Sequence, residues 1–413
     1  MRQAPDHPVS DYASGPAPRR SRPRRIAIVV HAHVPGDARI RRQADALVDA
    51  GYEVDIFCLR DAGEPRLEEE AGLRIIRLPV ARAFIGFAGH MAEYLAFAGL
   101  AGIRLASEHR RRRYRLVQVA TVPDFLAFAA LPLKLSGVPL LLDLHEDMPA
   151  FFRDRFRSAA LRPLMPAVTA ATRAAAAVAD RLITVHEPLR QLSLERGVPP
   201  ERISVVMNSA DERIFDPARF PRRLFMEDGE LRLIHHSNLQ RIYGMQCAVE
   251  AVAMIGDSIP IRLDVYGDGP ARGLIETAIS RTETGDRVHL SGRVPIDALP
   301  RLISGADVGL VPTLHEPYLE YSLSTKLLEY AAMGIPVIAS DLATVRAHFT
   351  DASLLYVRGG DAAALADAIR QTVADPEAAL ARAAEARRQA AAYAWTGQRT
   401  AYLEVIESML QGR

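Results

Sequence analysis

Residues 321–340 read YSLSTKLLEYAAMGIPVIAS. A short amphipathic helix runs into Gly334, and an apolar strand follows Pro336. A helix that stops on glycine and hands over to a β-branched run is one half of a strand–helix repeat. Lys326 and Glu329 stand three apart on one face of that helix, near its N-terminus. A cation and a carboxylate there suit a ligand carrying both phosphates and a sugar diol, and a nucleotide-sugar is such a ligand. The plain alternative is a surface lysine–glutamate pair on an ordinary helix.

Working outward, short apolar runs alternate with segments of helical period along the whole chain. Ile26 to Val30, Val54 to Leu59, Leu73 to Leu78, Leu116 to Val119, Pro139 to Leu144, Arg181 to Val185 and Ile203 to Met207 are expected strands. Arg39 to Ala50 puts Ile40, Ala44, Leu47 and Val48 on one stripe, and one helix is expected from about Asp124 to Leu135. A polar, proline-containing stretch over 209–230 interrupts the pattern. The alternation then restarts with strands at Leu231 to His236, Ile261 to Tyr266, Val288 to Ser291, Val308 to Pro312, Pro336 to Ser340 and Leu354 to Val357. Helical segments at Pro376 to Ala391 and Gln398 to Leu410 close the chain. Such alternation implies right-handed crossovers and parallel sheets. The expected layout is a disordered tail over 1–24, an α/β domain over 25–208, a linker over 209–230 and a second α/β domain over 231–391. A final helix over 392–413 is expected to cross back to the first domain. Ligands of doubly wound sheets bind outside the carboxyl ends of the strands, so two facing domains can share one cleft.

The bulk composition narrows the field. A chain of 413 residues is too long for one core. Its 49% hydrophobic and 24% charged content is ordinary for a globular protein, and a net charge of +1 gives no field that points to nucleic acid. No run of 18 apolar residues occurs, and the Pro/Arg/Ser-rich N-terminus lacks the apolar core of a signal peptide. A cytoplasmic location is the expectation. Cys58 on a strand and Cys247 on a helix read as buried free thiols of a reducing compartment.

The candidate chemistry follows strand ends. HAHVPGDARI (31–40) places Gly36 where backbone can approach a ligand, or else forms a plain turn. DLHED (143–147) sets His145 among three carboxylates, where it can titrate or bond a substrate hydroxyl. LIHHSNLQRIYGMQ (233–246) offers Arg241 as a planar fork for a diphosphate. Its His235–His236 pair lacks further ligands at metal spacing. VYGDGP (265–270) reads as a tight turn. No Asp-x-Asp, GxxxxGK[ST] or GxSxG occurs, so a departing diphosphate must be met by cations and helix N-termini, and no metal or cofactor is expected.

Taken in order, PGDARI, DLHED, MNSAD (207–211), HHSNLQRIYG, YGDGP and SLSTKLLEYAAMGIPVIASD make the chain resemble a family 4 retaining glycosyltransferase of the GT-B fold, from the branch that builds bacterial polysaccharides and glycolipids. The resemblance spans about Arg24 to Leu410. It implies transfer of a hexose from a nucleotide-diphosphate sugar to a glycan or lipid-linked acceptor, without a metal. It places Glu329 on the ribose hydroxyls, and Lys326 and Arg241 by the diphosphate. Backbone at Gly36 and Ser324 would also contact phosphate, Arg293 and Val294 would face the base, and His145 would lie beside the transferred sugar. The first glutamate of the family's paired-glutamate motif falls on Tyr321, which makes the adjacent Glu320 the candidate for that role. The lysine expected before Gly244 is Tyr243. A GT-B epimerase and a non-catalytic nucleotide-sugar-binding subunit share this pattern.

Residues 84–107 are apolar with Phe and Leu at helical spacing, and Arg110 to Arg113 follow directly. Such a segment either lies on an anionic membrane face or forms a core helix with a solvated basic end.

Overall fold

The computed structural model describes residues 24–34, 37–80, 86–156 and 158–411. The expected tail over 1–24 lies outside them except for Arg24, as does Gly36.

The first domain carries strands β1 (Arg24–His33), β2 (Tyr52–Leu59), β3 (Leu67–Glu70), β4 (Leu73–Leu78), β5 (Leu116–Ala120), β6 (Leu140–Leu144), β7 (Arg181–Thr184) and β8 (Ile203–Val205). They form one sheet in the order β3-β4-β2-β1-β5-β6-β7-β8. All neighbours are parallel except β3 and β4. The second domain carries β9 (Leu231–Asn238), β10 (Ile261–Asp268), β11 (Val288–Ser291), β12 (Val308–Val311), β13 (Val337–Ser340) and β14 (Leu355–Val357). Their order is β11-β10-β9-β12-β13-β14, parallel throughout. In both sheets the order reverses beside the first strand of the domain, which opens a crevice at the strands' carboxyl ends.

Both faces of each sheet are covered, which explains the unbroken apolar runs. Ala27 and Val29 of β1 join one core cluster, and Ile26 and Ile28 join the other. Trp395, Tyr402, Val405, Ile406 and Met409 of the final helix, Trp395–Gln411, pack into that second cluster. The chain therefore ends against the domain in which it began. Residues 206–230 contain no helix or strand; Val206 packs in the first domain, and from Ala210 onward the segment packs on the second, where Met226 N–H bonds Asp307 at 3.0 Å. Cys58 and Cys247 are both buried and free.

One strand was not expected, and one expected helix needs correction. Strand β3, sequence LEEE, has no apolar signature. It is held to its surroundings by ion pairs, with Glu68 on Arg77 at 2.7 Å, Glu69 on Arg74 at 3.2 Å and Glu70 on Arg41 at 2.7 Å. The helix expected over 124–135 is a 3₁₀ segment, Asp124–Ala130, followed by a short α-helix, Leu131–Leu135. Pro132 has no N–H to continue the earlier turns, so the α-helix restarts around it.

The helix Gly86–Arg112 buries the stripe Glu93, Phe97, Ala101, Leu105 and Glu108. Its outer side exposes Leu95, Leu100 and Ile103, the last 72% accessible, and Leu135 is exposed on the helix packed beside it. Arg112 is tied inward to Glu53 and Asp55, each at 3.1 Å, while Arg110 and Arg111 are exposed. No helix among the described residues is long and apolar enough to cross a membrane.

Candidate active site

A cleft of about 1120 Å³ separates the carboxyl ends of the two sheets. From the first domain it is lined by Arg39, Arg42, His145 and Glu146, and from the second by His236, Tyr243, Arg293, Ser324, Lys326 and Glu329.

The helix Thr325–Met333 aims its N-terminus at this space. Its N-cap, Ser324, makes no side-chain capping bond, because its hydroxyl instead accepts from Lys326 Nζ at 2.9 Å. The ammonium also sits 4.0 Å from the centroid of the Tyr243 ring. Lys326 is only 7% exposed and has no carboxylate partner among the described residues. Burial pulls its pKa down to about 8, partly opposed by the charge of Glu329. An ammonium held this way gains from any anion that enters.

Glu329, 8% exposed, accepts from His236 Nε2 at 2.6 Å. The other His236 nitrogen lies 3.1 Å from the Tyr330 hydroxyl. Tyr330 fits only because position 309 is glycine, where a Cβ would come within 2.4 Å of the ring. His235, by contrast, is structural. It is fully buried, with Nδ1 2.9 Å from the Leu310 carbonyl and Nε2 2.9 Å from Ser237, and burial drives its pKa well down.

Arg42 enters the cleft from the helix Ala38–Asp49. Its guanidinium donates to the carbonyl of Ser209 and to Asn208 Oδ1, and Asn208 donates to Thr325 Oγ1 at 3.0 Å. A second cation thus stands two hydrogen bonds away from the helix N-terminus, and among the described residues it too lacks a carboxylate partner. Arg293 lines the cleft as an exposed third.

His145, 7% exposed, stands with Nε2 3.1 Å from Asp143, and its backbone N–H donates to Thr121 Oγ1 at 3.1 Å. Next to it, Glu146 accepts from the hydroxyl of Tyr318, which belongs to the other domain. The Phe151 ring packs 5.8 Å from that of Tyr318. His186 adds a further clasp. Its Nδ1 accepts from Leu189 N–H at 3.2 Å, so Nε2 carries the proton and donates to the Tyr321 carbonyl at 2.8 Å. Burial lowers its pKa to about 4, keeping that neutral form at physiological pH.

The cleft therefore gathers His145, Arg293, Ser324, Lys326 and Glu329, and three expectations fail geometrically. Glu320 does not line it. The 3₁₀ turn Leu319–Tyr321 turns the carboxylate outward, to accept from Ala343 N–H at 2.9 Å and to pair with His315 at 3.0 Å. Arg241 is also outside the lining, paired with Glu316 at 3.0 Å. Val294 packs into the apolar cluster of the second domain. Gly36 lies outside the described residues. Sequence reasoning missed Arg42, the His236–Glu329 bond and the two-domain grip on Tyr318 and Tyr321. One signal was available for Arg42, since it lies two residues after PGDARI, in the second turn of the helix which that motif opens.

Comparison with known proteins agrees with this arrangement. The family described as "Glycosyl transferase 4-like domain" matches residues 36–209, and "Glycosyl transferases group 1" matches residues 230–375. The 2-deoxystreptamine glucosyltransferase of Streptomyces kanamyceticus is 27% identical over 362 residues, covering 83% of this chain and 90% of its own. The 2-deoxystreptamine N-acetyl-D-glucosaminyltransferase of Streptomyces fradiae is 29% identical, covering 82% of each chain. Sucrose-phosphate synthase from Thermosynechococcus elongatus superposes with a TM-score of 0.76 at 21% identity, over 94% of this chain and 100% of its own. Anabaena HepE, solved in complex with UDP-glucose, superposes with a TM-score of 0.69 at 15% identity, over 93% and 99%. The two matched domains, the paired parallel sheets and the shared cleft make this chain a member of the family 4 glycosyltransferases, with the GT-B fold.

Proposed function

We propose that the protein transfers a hexose from a nucleoside-diphosphate sugar to a glycan or lipid-linked acceptor, with retention at the anomeric carbon and without a divalent cation or other cofactor. In the step envisaged, the bond from the anomeric carbon to the diphosphate oxygen breaks as the acceptor oxygen bonds to that carbon from the same face. The acceptor's proton passes to the departing phosphate oxygen. No protein nucleophile is required, in keeping with the outward turn of Glu320.

The observation that carries the reading is the placement of Lys326 and Glu329 on one turn of one helix, both buried in the cleft wall, with the ammonium unopposed by an ion pair. A diphosphate would meet Lys326, the free N-terminus of the helix and Arg42, while a ribose diol would meet Glu329. The UDP-glucose bound by HepE supports this donor class. A lipid-linked acceptor is supported by the exposed apolar side of the helix Gly86–Arg112 beside Arg110 and Arg111. A small, soluble polar acceptor is the second reading, favoured by the two Streptomyces relatives whose names specify 2-deoxystreptamine.

A thermal-shift screen of nucleoside-diphosphate hexoses, run in EDTA, tests the donor. A ligand at 100 times its Kd adds about 2.7 kcal/mol of stability. NMR of the product made from the best donor then reads the anomeric configuration. No stabilisation by any donor, or an inverted product, contradicts the proposal. Release of an epimerised sugar without acceptor would instead identify an epimerase.

A further inference from the structure

Beneath His145 runs a chain of buried polar side chains that ends on the last helix of the protein. The Tyr402 hydroxyl donates to Gln118 Oε1 at 2.6 Å. Gln118 Nε2 donates to Gln43 Oε1 at 2.7 Å and to Asp143 Oδ2 at 3.2 Å. Gln43 Nε2 donates to the same Asp143 oxygen at 2.9 Å, and His145 Nε2 lies 3.1 Å from it. Tyr402, Gln118, Gln43 and Asp143 are all buried, in a region otherwise filled by the apolar core around β1, β5 and β6.

The direction of each bond follows from its neighbour. The Asp143 carboxylate can only accept, so the Gln118 NH₂ faces Asp143 and Gln43, and its Oε1 is left to accept from the Tyr402 phenol. Gln43 then has its carbonyl occupied and must offer its own NH₂ to Asp143. The opposite orientation would press amide oxygen on carboxylate oxygen in a dry interior, where an unmatched polar contact is costly. Asp143 Oδ2 thus faces N–H groups only, and His145 must present Nε2–H to it. The remaining nitrogen, Nδ1, is left as a hydrogen-bond acceptor on a side chain that lines the cleft.

We infer that Asp143 fixes His145 as the Nε2–H tautomer, and that Tyr402, acting through Gln118 and Gln43, is a positioning residue that holds Asp143 in place, so that Nδ1 of His145 accepts a hydrogen bond from a hydroxyl of the transferred sugar. The inference rests on the proposed donor site only for the identity of the hydroxyl. It gives the final helix a second task besides packing. That helix carries to the catalytic strand end of the first domain a phenol which no residue of the domain itself supplies.

The test is a long-range ¹H–¹⁵N correlation spectrum of histidine-labelled protein without substrate, with His145 identified by its loss in His145→Gln. At pH 8, wild-type His145 is expected to carry its proton on Nε2. In Asp143→Asn, whose amide can donate to that nitrogen, the tautomer is expected to change or become mixed. A proton on Nδ1 in the wild type, or an unchanged spectrum in Asp143→Asn, overturns the inference whether or not a donor has been found. Tyr402→Phe keeps the ring and its packing. It is expected to lower kcat about three- to tenfold with donor KM within about twofold, the effect of one neutral hydrogen bond acting on orientation alone. Unchanged kcat in Tyr402→Phe, or a loss confined to KM, also overturns it.

Discussion

Glu329 and His236 are joined by a 2.6 Å hydrogen bond that crosses from the helix Thr325–Met333 to the carboxyl end of β9. One carboxylate oxygen is thereby committed, and the other is left to face the cleft. The imidazole is in turn steadied by the Tyr330 hydroxyl. A carboxylate oriented before its ligand arrives loses less entropy on binding. His236→Phe is therefore expected to weaken nucleoside-diphosphate binding about three- to tenfold, the worth of one lost orienting bond, with the fold retained. Titration calorimetry with UDP and GDP checks this, and wild-type affinity in the variant would show that Glu329 needs no such support.

Lys326 gives two opposite responses to pH. In the folded protein burial lowers its pKa to about 8, below the ordinary lysine value of 10.5. Between those values the unfolded chain binds the proton and the folded chain does not, so stability rises with pH through this window. Diphosphate affinity moves the other way, falling as pH passes 8 and the ammonium is lost. Lys326→Met is expected to raise the stability of the free protein at pH 7 by about 2 to 3 kcal/mol while abolishing the nucleotide-dependent thermal shift. A destabilised variant, or nucleotide affinity flat from pH 7 to 9.5, would contradict the assignment.

Asp124 lies on the 3₁₀ segment that follows β5 and is buried with Oδ1 unpartnered, while Oδ2 accepts from Thr172 at 2.7 Å. Burial raises its pKa from 3.8 to about 7. Between those values the folded state keeps a proton that the unfolded chain has lost, so stability falls as pH rises from about 4 to 7. Asp124→Asn retains the Thr172 contact and removes the cost of ionisation. It is expected to stabilise the protein by about 3 kcal/mol at pH 8 and by little at pH 4. Thermal denaturation at the two pH values measures the difference, and equal shifts would refute it.

The exposed Leu95, Leu100 and Ile103 beside Arg110 and Arg111 predict attachment to anionic bilayers. Flotation with vesicles containing an anionic phospholipid should carry the wild type upward. Leu95→Glu/Ile103→Glu and Arg110→Ala/Arg111→Ala should each reduce the floated fraction, the arginine pair in a salt-dependent manner. Equal flotation of all three proteins would remove the membrane from the proposal and favour a soluble acceptor.

Most of the architecture was legible because each buried strand is an apolar run and each intervening helix has its own stripe. Val288–Ser291 and Pro376–Ala391 fall where the pattern puts them. Strand β3 was hidden because ion pairs, rather than apolar burial, hold it. In the site, Lys326 and Glu329 were readable since a three-residue spacing on a helix fixes a shared face. Glu320 and Arg241 fall outside the lining because side chains on short 3₁₀ turns take their direction from tertiary partners, here Ala343 and Glu316. Gln43 and Gln118 carried a usable signal, being amides on an otherwise apolar helical stripe and in an apolar strand. Their link to Tyr402, more than 280 positions along the chain from Gln118, was not readable from local pattern.

The central claim is that the cleft grips a nucleoside diphosphate through Lys326 and Glu329 without a metal. Titration calorimetry of UDP and GDP in EDTA, on wild type and Glu329→Ala, addresses it most directly. The account predicts binding of one nucleotide at about micromolar Kd in the wild type, weakened about tenfold or more in the variant, as loss of a charge-assisted hydrogen-bond pair requires. Equal affinity in the two proteins, or binding that vanishes with the chelator, would contradict it.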